Sequence, residues 1–168
     1  MQVKAHIVPC LWFDTQAEEA ANFYVSVFPN SRITQVSHYG EEGREVHGMA
    51  PGTVLTVAFE LDGQPFTALN GGPAFRFSEA VSFQVRCDTQ DEIDRYWEVL
   101  GAGGDEAARQ CGWLKDRYGL SWQVMPGVMD ELIVGPRSEQ VMAALMPMKK
   151  LDLAALLAAG GRGDGAGV

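Results

Sequence analysis

Hydrophobic positions in the first part of the chain follow the periods of a strand, a helix and three further strands. Ile7–Phe13 is an apolar run of strand length, and apolar residues then recur at helical spacing up to Phe28. Strands are predicted at Arg32–Tyr39, Thr53–Leu61 and Pro65–Asn70. Asp62-Gly63, between the last two strands, is a strong signal for a two-residue hairpin.

The same order of elements recurs further along the chain. Val81–Cys87 has the pattern of a strand, and the helical spacing that follows is carried by Ile93, Tyr96, Trp97 and Leu100. Strands near Gln110–Lys115 and Leu120–Met125 flank a turn at Asp116–Gly119. The pattern therefore predicts one supersecondary unit used twice, with a shorter second copy.

Both predicted helices follow nearly identical segments, Asp14-Thr15-Gln16-Ala17-Glu18 and Asp88-Thr89-Gln90-Asp91-Glu92. In each segment the Thr hydroxyl is expected to accept a hydrogen bond from the Glu backbone N–H, while the Glu carboxylate reaches back to the chain before the helix. Such capping boxes build the scaffold. We therefore expect any function on the strands before and after them.

After Pro126 the pattern changes to helices at Glu139–Met148 and Asp152–Ala159. We expect a first βαβββ module at residues 1–75, a shorter second one at 76–128, C-terminal helices at 129–159 and a flexible Gly-rich tail at 160–168. The apolar side chains of these helices need cover, either from a second copy of the chain or from their own sheet. They are Met142, Leu145, Met146, Leu153, Leu156 and Leu157.

Charge and composition argue against some classes of binding partner. The chain of 168 residues carries a formal net charge of −9, which opposes binding to nucleic acid or to an anionic membrane. The N-terminal segment lacks the pattern of a signal peptide and no apolar run is long enough to span a bilayer, so a cytoplasmic location is expected. Cys10, Cys87 and Cys111 show no CxxC spacing and are expected to be free thiols.

Several stretches resemble one known family in order and spacing. They are Leu11-Trp12-Phe13, Ala17 to Tyr24, Phe59 to Gln64, Leu69-Asn70-Gly71-Gly72-Pro73, Cys111 to Asp116, and Gly119 to Gln123. From about residue 5 to about residue 158 the chain resembles the PhnB-like family, often labelled "3-demethylubiquinone-9 3-methyltransferase", within the vicinal oxygen chelate superfamily. The resemblance implies an α+β fold of two βαβββ modules, the glyoxalase/bleomycin-resistance/dihydroxybiphenyl dioxygenase-like fold, with C-terminal helices added. It also implies a homodimer.

The resemblance further implies where a metal would lie. Metal-using members of the superfamily carry His or carboxylate ligands on inward strand positions of both modules. Here those positions fall at Pro9 or a neighbour, Ser82 and Gln123, and the three histidines of the chain are scattered. Since Pro has no donor side chain and Ser and Gln are weak neutral ligands, we expect no bound metal and no cofactor.

The leading hypothesis is metal-independent binding of a small, partly apolar molecule in a cleft between the modules. The expected lining combines aromatic and small polar side chains, the usual composition of such sites. It comprises Cys10, Trp12, Thr56, Thr67, Asn70, Ser82, Trp113, Trp122 and Gln123.

Two alternatives stay open, and no catalytic residue is assigned in either. One is an enzyme, either lyase- or isomerase-like or the methyltransferase that the family label suggests. A Rossmann-type methyltransferase has a glycine-rich turn after its first strand, whereas here the first strand runs into Asp14-Thr15-Gln16. The other alternative is a structural or regulatory homodimer whose cleft is filled by its own side chains.

Overall fold

The computed structural model describes residues 5–163 and divides into two compact units, Met1–Arg76 and Phe77–Val168. The last residues of the expected Gly-rich tail, 164–168, lie outside the described part of the chain. The first unit contains β1 (Cys10–Phe13), α1 (Ala17–Val27), β2 (Arg32–His38), the single-turn α2 (Arg44–His47), β3 (Val54–Leu61) and β4 (Gln64–Asn70).

A four-stranded sheet in the order β1-β4-β3-β2 forms the first unit. The predicted hairpin is confirmed: Leu61 pairs with Gln64 across a two-residue turn in which Asp62 and Gly63 have φ of 47° and 78°. Positive φ at both central residues defines a type I′ turn, whose twist matches that of the strands. Strand β1 joins the other edge of this hairpin in parallel, with Trp12 opposite Leu69.

The start of α1 differs from the predicted capping box. Gln16 is the N-cap residue and its side chain makes no capping hydrogen bond. Instead, the buried Asn70 at the end of β4 accepts a hydrogen bond from the Ala17 backbone N–H (2.8 Å) and donates one to the Val54 carbonyl oxygen (3.1 Å). A side chain distant in sequence therefore replaces the local Thr15 cap.

The second unit contains a three-stranded sheet in the order β5-β7-β6. Its elements are β5 (Ser82–Cys87), α3 (Gln90–Gly101), β6 (Trp113–Lys115), β7 (Ser121–Pro126), α4 (Met129–Val134), α5 (Ser138–Leu145) and α6 (Leu153–Ala159). The sheet has one strand fewer than the first sheet. The predicted capping box of α3 is confirmed, since Thr89 Oγ1 accepts from the Glu92 N–H (3.2 Å) and the Glu92 carboxylate accepts from the Asp88 N–H (2.7 Å).

The C-terminal helices pack on their own unit. Met129, Leu132, Val141, Leu151 and Leu156 form a buried cluster with Leu145 and Met148 partly buried against it. The backbone N–H groups of Cys111 and Gly112 donate to the carbonyl oxygens of Met148 and Lys149 (2.8 Å each). Of the side chains predicted to need cover, Leu156 is buried and Leu145 partly buried within the chain, whereas Met142 and Met146 stay exposed. None of the helices in residues 5–163 combines the length and hydrophobicity needed to cross a membrane.

A buried carboxylate organises the turn between β6 and β7. Asp116 is 2% exposed, and its Oδ1 accepts from the backbone N–H groups of Tyr118 (2.8 Å) and Leu120 (3.1 Å). Its Oδ2 accepts from Nε1 of Trp122 (2.9 Å). Both carboxylate oxygens therefore have donors, as burial of a charged group requires.

Asp116→Asn is expected to lower the free energy of unfolding by about 2–3 kcal/mol, because the amide NH2 must face either a backbone N–H or the indole N–H. Urea denaturation followed by circular dichroism measures this. Asp105→Asn is the matched control: Asp105 is exposed and accepts from the Ala107 N–H with one oxygen (2.9 Å), which an amide oxygen can replace. Equal stability of the two variants would contradict the role assigned to Asp116.

Candidate functional site

One face of each sheet is covered by the helix of its own unit. The side chains of the opposite face do not pack on that helix. In the first sheet, alternate residues such as Leu11, Val57 and Phe59 are buried, and Phe59 stacks with Tyr24 of α1 at a centroid distance of 6.4 Å. By the strand registers, the opposite side chains share what we call the first binding face: Cys10, Trp12, Ser37, Thr56, Thr67 and Leu69. This face includes four of the residues expected from the sequence, which are Cys10, Trp12, Thr56 and Thr67.

Trp12 is held rigidly on the first binding face. Its Nε1 donates to the Gly72 carbonyl oxygen (2.9 Å), and its ring meets Phe75 edge to face at 4.9 Å. A Cβ atom on Gly71 would lie 2.2 Å from the Trp12 ring, so only glycine permits this approach of backbone and indole. Phe75 is 64% exposed. The pair therefore presents an ordered, partly exposed aromatic surface.

In the second sheet the registers place two rows of side chains on one face, which we call the second binding face. The first row is Ser82, Ser121 and Lys115, and the second is Gln84, Gln123 and Trp113. Gln123 Nε2 donates to Ser82 Oγ (2.8 Å), which joins the rows. Ser82, Trp113 and Gln123, expected from the sequence, are therefore brought together.

Two of the expected residues lie on the helix-covered faces instead. Asn70 pairs with Phe13 in register and is 3% exposed, with its amide used by the start of α1 and by Val54. Trp122 is 3% exposed and lies opposite Phe83 and Leu114 in the strand registers. Its indole N–H donates a hydrogen bond to Asp116. Both side chains serve the scaffold, and strand alternation turns them away from the binding faces.

Ser121 has an unusual environment. It is 1% exposed, and its Oγ is the buried side-chain polar atom that has no hydrogen-bond partner among the described residues. An unpaired buried hydroxyl is unfavourable because it has lost its contact with water without replacement. Sequence reasoning missed Ser121 and Lys115. Strand alternation could have found them, since each lies two residues from an expected site residue on the same strand.

Cys10 and Cys87 are not activated as nucleophiles. Desolvation raises the pKa of the Cys10 thiol, and desolvation, with smaller contributions from Glu92 and Asp88, raises the pKa of Cys87 to about 12. A nucleophilic cysteine requires the opposite shift. His47 is also engaged elsewhere, because its ring lies 4.5 Å from that of Tyr39 and its Nδ1 accepts from the Met49 N–H (3.0 Å).

The residues at the positions where the resemblance implied metal ligands do not suit a divalent metal. Ser82 and Gln123 are neutral and bonded to each other, and Pro9 has no donor side chain. Within residues 5–163, no three His, Cys, Asp or Glu side chains form a group that could hold a metal ion.

A cavity of about 540 Å³ opens at the hairpin end of the first sheet. It is lined by Asn30, Ser31, Arg32, Glu60, Gly63 and Pro65, and an Arg32–Glu60 ion pair (3.0 Å) lies in it. The lining contains none of the residues expected from the sequence. It is also mostly polar, unlike the apolar lining of typical small-molecule sites.

Comparison with known proteins agrees with this architecture. Residues 5–125 match the family model described as 3-demethylubiquinone-9 3-methyltransferase. The chain belongs to this family. It is the PhnB-like family that the sequence resembles, so the predicted family and the predicted α+β fold are confirmed. The C-terminal helices, from Met129 onward, lie outside the matched residues.

Solved structures support the same fold. A "putative 3-demethylubiquinone-9 3-methyltransferase, PhnB protein" from Bacillus cereus is 36% identical, with a TM-score of 0.61, covering 72% of this chain and 99% of its own. Protein PA1353 from Pseudomonas aeruginosa is 19% identical, with a TM-score of 0.55, covering 73% of this chain and 98% of its own. Among curated protein sequences, none matches this chain significantly.

Ser121→Ala is expected to raise the free energy of unfolding by about 1 kcal/mol, because it removes an unpaired buried hydroxyl and little volume. Ser82→Ala, in the same row, is the control and is expected to lower it by about 1 kcal/mol, since it leaves the Gln123 amide without its acceptor. Urea denaturation of the three proteins measures both changes. Destabilisation by Ser121→Ala would mean that the hydroxyl has a partner.

Proposed function

We propose that the protein binds a small, partly apolar molecule at its binding faces without a metal ion. The observation that carries the proposal is the shared composition of the two faces. Each has a half-buried tryptophan, Trp12 or Trp113, beside small polar side chains. An apolar surface with a few convergent polar groups is typical of small-molecule sites.

Pre-organisation of the first binding face supports this proposal. The indole of Trp12 is fixed by its bond to Gly72 and by Phe75, so little side-chain entropy is lost when a ligand packs against it. Thr67 and Thr56 stand on the adjacent strands of the same face. Ser37 and Thr56 share a hydrogen bond of 2.5 Å, and either hydroxyl can be its donor.

The choice of binding over turnover is also part of the proposal. A general base requires a suitable pKa and a partner that orients it. The Cys10 thiol has a raised pKa, and the remaining expected side chains are neutral. The methyltransferase named by the family remains the rival function. The segment after β1 argues against a methyltransferase of the Rossmann type, because it reads Asp14-Thr15-Gln16 where such enzymes have a glycine-rich turn.

The proposal can be tested by nuclear magnetic resonance with indole as a neutral aromatic probe. We expect saturable shift changes at Trp12, Thr56 and Thr67, or at Ser82 and Gln123, and weaker binding by Trp12→Leu or Trp113→Leu. Phe23→Leu on α1 is the control and should bind as the wild type does. Shift changes confined to other regions would refute the proposal. Saturable binding of S-adenosylmethionine in parallel calorimetry would favour the methyltransferase instead.

We further propose that the protein is a cytoplasmic homodimer. Support comes from apolar side chains that stay exposed on the C-terminal helices, namely Ile133, Val134, Met142 and Met146. Sedimentation velocity at micromolar concentration should give a dimer for the wild type and a monomer for the double variant Met142→Glu/Met146→Glu. Ala143→Glu, at an exposed position of the same helix α5, is the control. A purely monomeric wild type would contradict the dimer.

A further inference from the structure

The first row of the second binding face has the elements of an anion site. Ser121 is its middle residue, with Ser82 opposite it on β5 and Lys115 opposite it on β6. Directly opposed residues of neighbouring strands have Cβ atoms about 5 Å apart. The registers therefore place the Cβ atoms of one lysine and two serines within the span of a small ligand, with the Ser121 hydroxyl buried between its neighbours.

The hydroxyl of Ser121 is a buried hydrogen-bonding group that the side chains of this row do not use. Its Oγ is buried and has no partner among the described residues, whereas the neighbouring Ser82 hydroxyl accepts from Gln123. Buried polar atoms in folded proteins are nearly always paired with protein, water or ligand. An oxyanion held beside Lys115 would supply the acceptor that Ser121 lacks.

The ammonium group of Lys115 already holds a carboxylate. Its Nζ lies 2.5 Å from Oε1 of Glu79, a residue of the segment that precedes β5. The Lys115 side chain is only 23% exposed, but that of Glu79 is 63% exposed. The bond to Lys115 lowers the pKa of Glu79, which keeps its carboxylate ionised. Because Glu79 is mostly in solvent, another carboxylate can replace it at small cost.

An aromatic side chain adjoins the cation. Trp113 lies two residues before Lys115 on β6, on the same face, and opposite Gln123. An anionic group at Lys115 would therefore have its apolar part beside an indole ring. This combination distinguishes a site for an organic anion from one for a small inorganic ion.

We propose that the row Ser82–Ser121–Lys115 binds the carboxylate of a small organic acid whose apolar part packs on Trp113. Glu79 is an internal substitute that the ligand displaces from Lys115. The exchange of one carboxylate for another leaves the charge at Lys115 balanced, and the ligand additionally gives Ser121 a hydrogen-bond acceptor. The inference rests on the proposed small-molecule function and names the class of ligand for its second binding face.

Benzoate and its neutral isostere benzamide are the probes, titrated by nuclear magnetic resonance into wild-type and variant protein. Benzoate should bind more tightly than benzamide. Glu79→Gln should tighten benzoate binding about three- to fivefold, the scale set by loss of one exposed ion pair, and leave benzamide unchanged. Glu41→Gln is the matched control for charge. Glu41 is exposed in the first unit, and its Oε2 lies 3.8 Å from Nη1 of Arg44. This variant should leave the affinity for both probes unchanged.

Three further variants examine the row directly. Lys115→Met should weaken benzoate at least about tenfold, as loss of a charge-assisted hydrogen bond requires, and Lys115→Arg should retain most of the binding. Ser121→Ala should weaken benzoate about three- to tenfold although the folded protein is not destabilised. A hydroxyl that is only a packing defect would leave benzoate affinity unchanged in this variant.

Several outcomes would overturn the inference. They are equal benzoate affinity of Glu79→Gln and Glu41→Gln, wild-type affinity in folded Lys115→Met, or unchanged affinity in Ser121→Ala. The indole titration separates this failure from failure of the proposed function. Indole binding at the binding faces without carboxylate preference would refute only the anion site, whereas no binding of either probe would refute both.

Discussion

The register between neighbouring strands is the constraint on which both sheets depend. Because side chains alternate between the two faces of a strand, a slip by one residue would exchange the helix-packed face for the binding face. In the first unit the two-residue turn at Asp62-Gly63 fixes β3 against β4, and the bonds of Asn70 connect the end of β4 to β3 and α1. In the second unit Asp116 connects the β6–β7 turn to Trp122. Polar side chains on the scaffold thus determine which residues lie on the face opposite the packed helix.

Local signals in the sequence predicted most of the secondary structure. The hairpin at Asp62-Gly63 and the capping box of Thr89 and Glu92 depend on residues adjacent in the chain, and both are confirmed. The Thr15 cap was wrong because the N-terminus of α1 receives its acceptor from Asn70. Such a long-range bond leaves no periodic trace in the sequence.

The candidate site was predictable to the extent that strand alternation was known. Cys10, Trp12, Thr56 and Thr67 share one face, and Ser82, Trp113 and Gln123 share another. Asn70 and Trp122 were placed on the wrong side. A tryptophan or an asparagine can lie on either face of a strand, and the hydrogen-bond partner that decides the face is known only from the structure. Ser121 had no chemical signal of its own. Its unpaired hydroxyl is visible only when its neighbours are in place, and it is the kind of local cost that functional sites retain.

The contacts of residues 148 and 149 have a consequence for the behaviour of the chain in concentrated solution. Strand β6 is an edge of its sheet, and edge strands with free N–H groups can pair with other chains and seed aggregates. The N–H groups of Cys111 and Gly112, just before β6, are occupied by carbonyl oxygens of the segment between α5 and α6. This segment lies beyond the residues that match the family, so the chain's own extension removes two donors beside the edge strand from pairing with another chain.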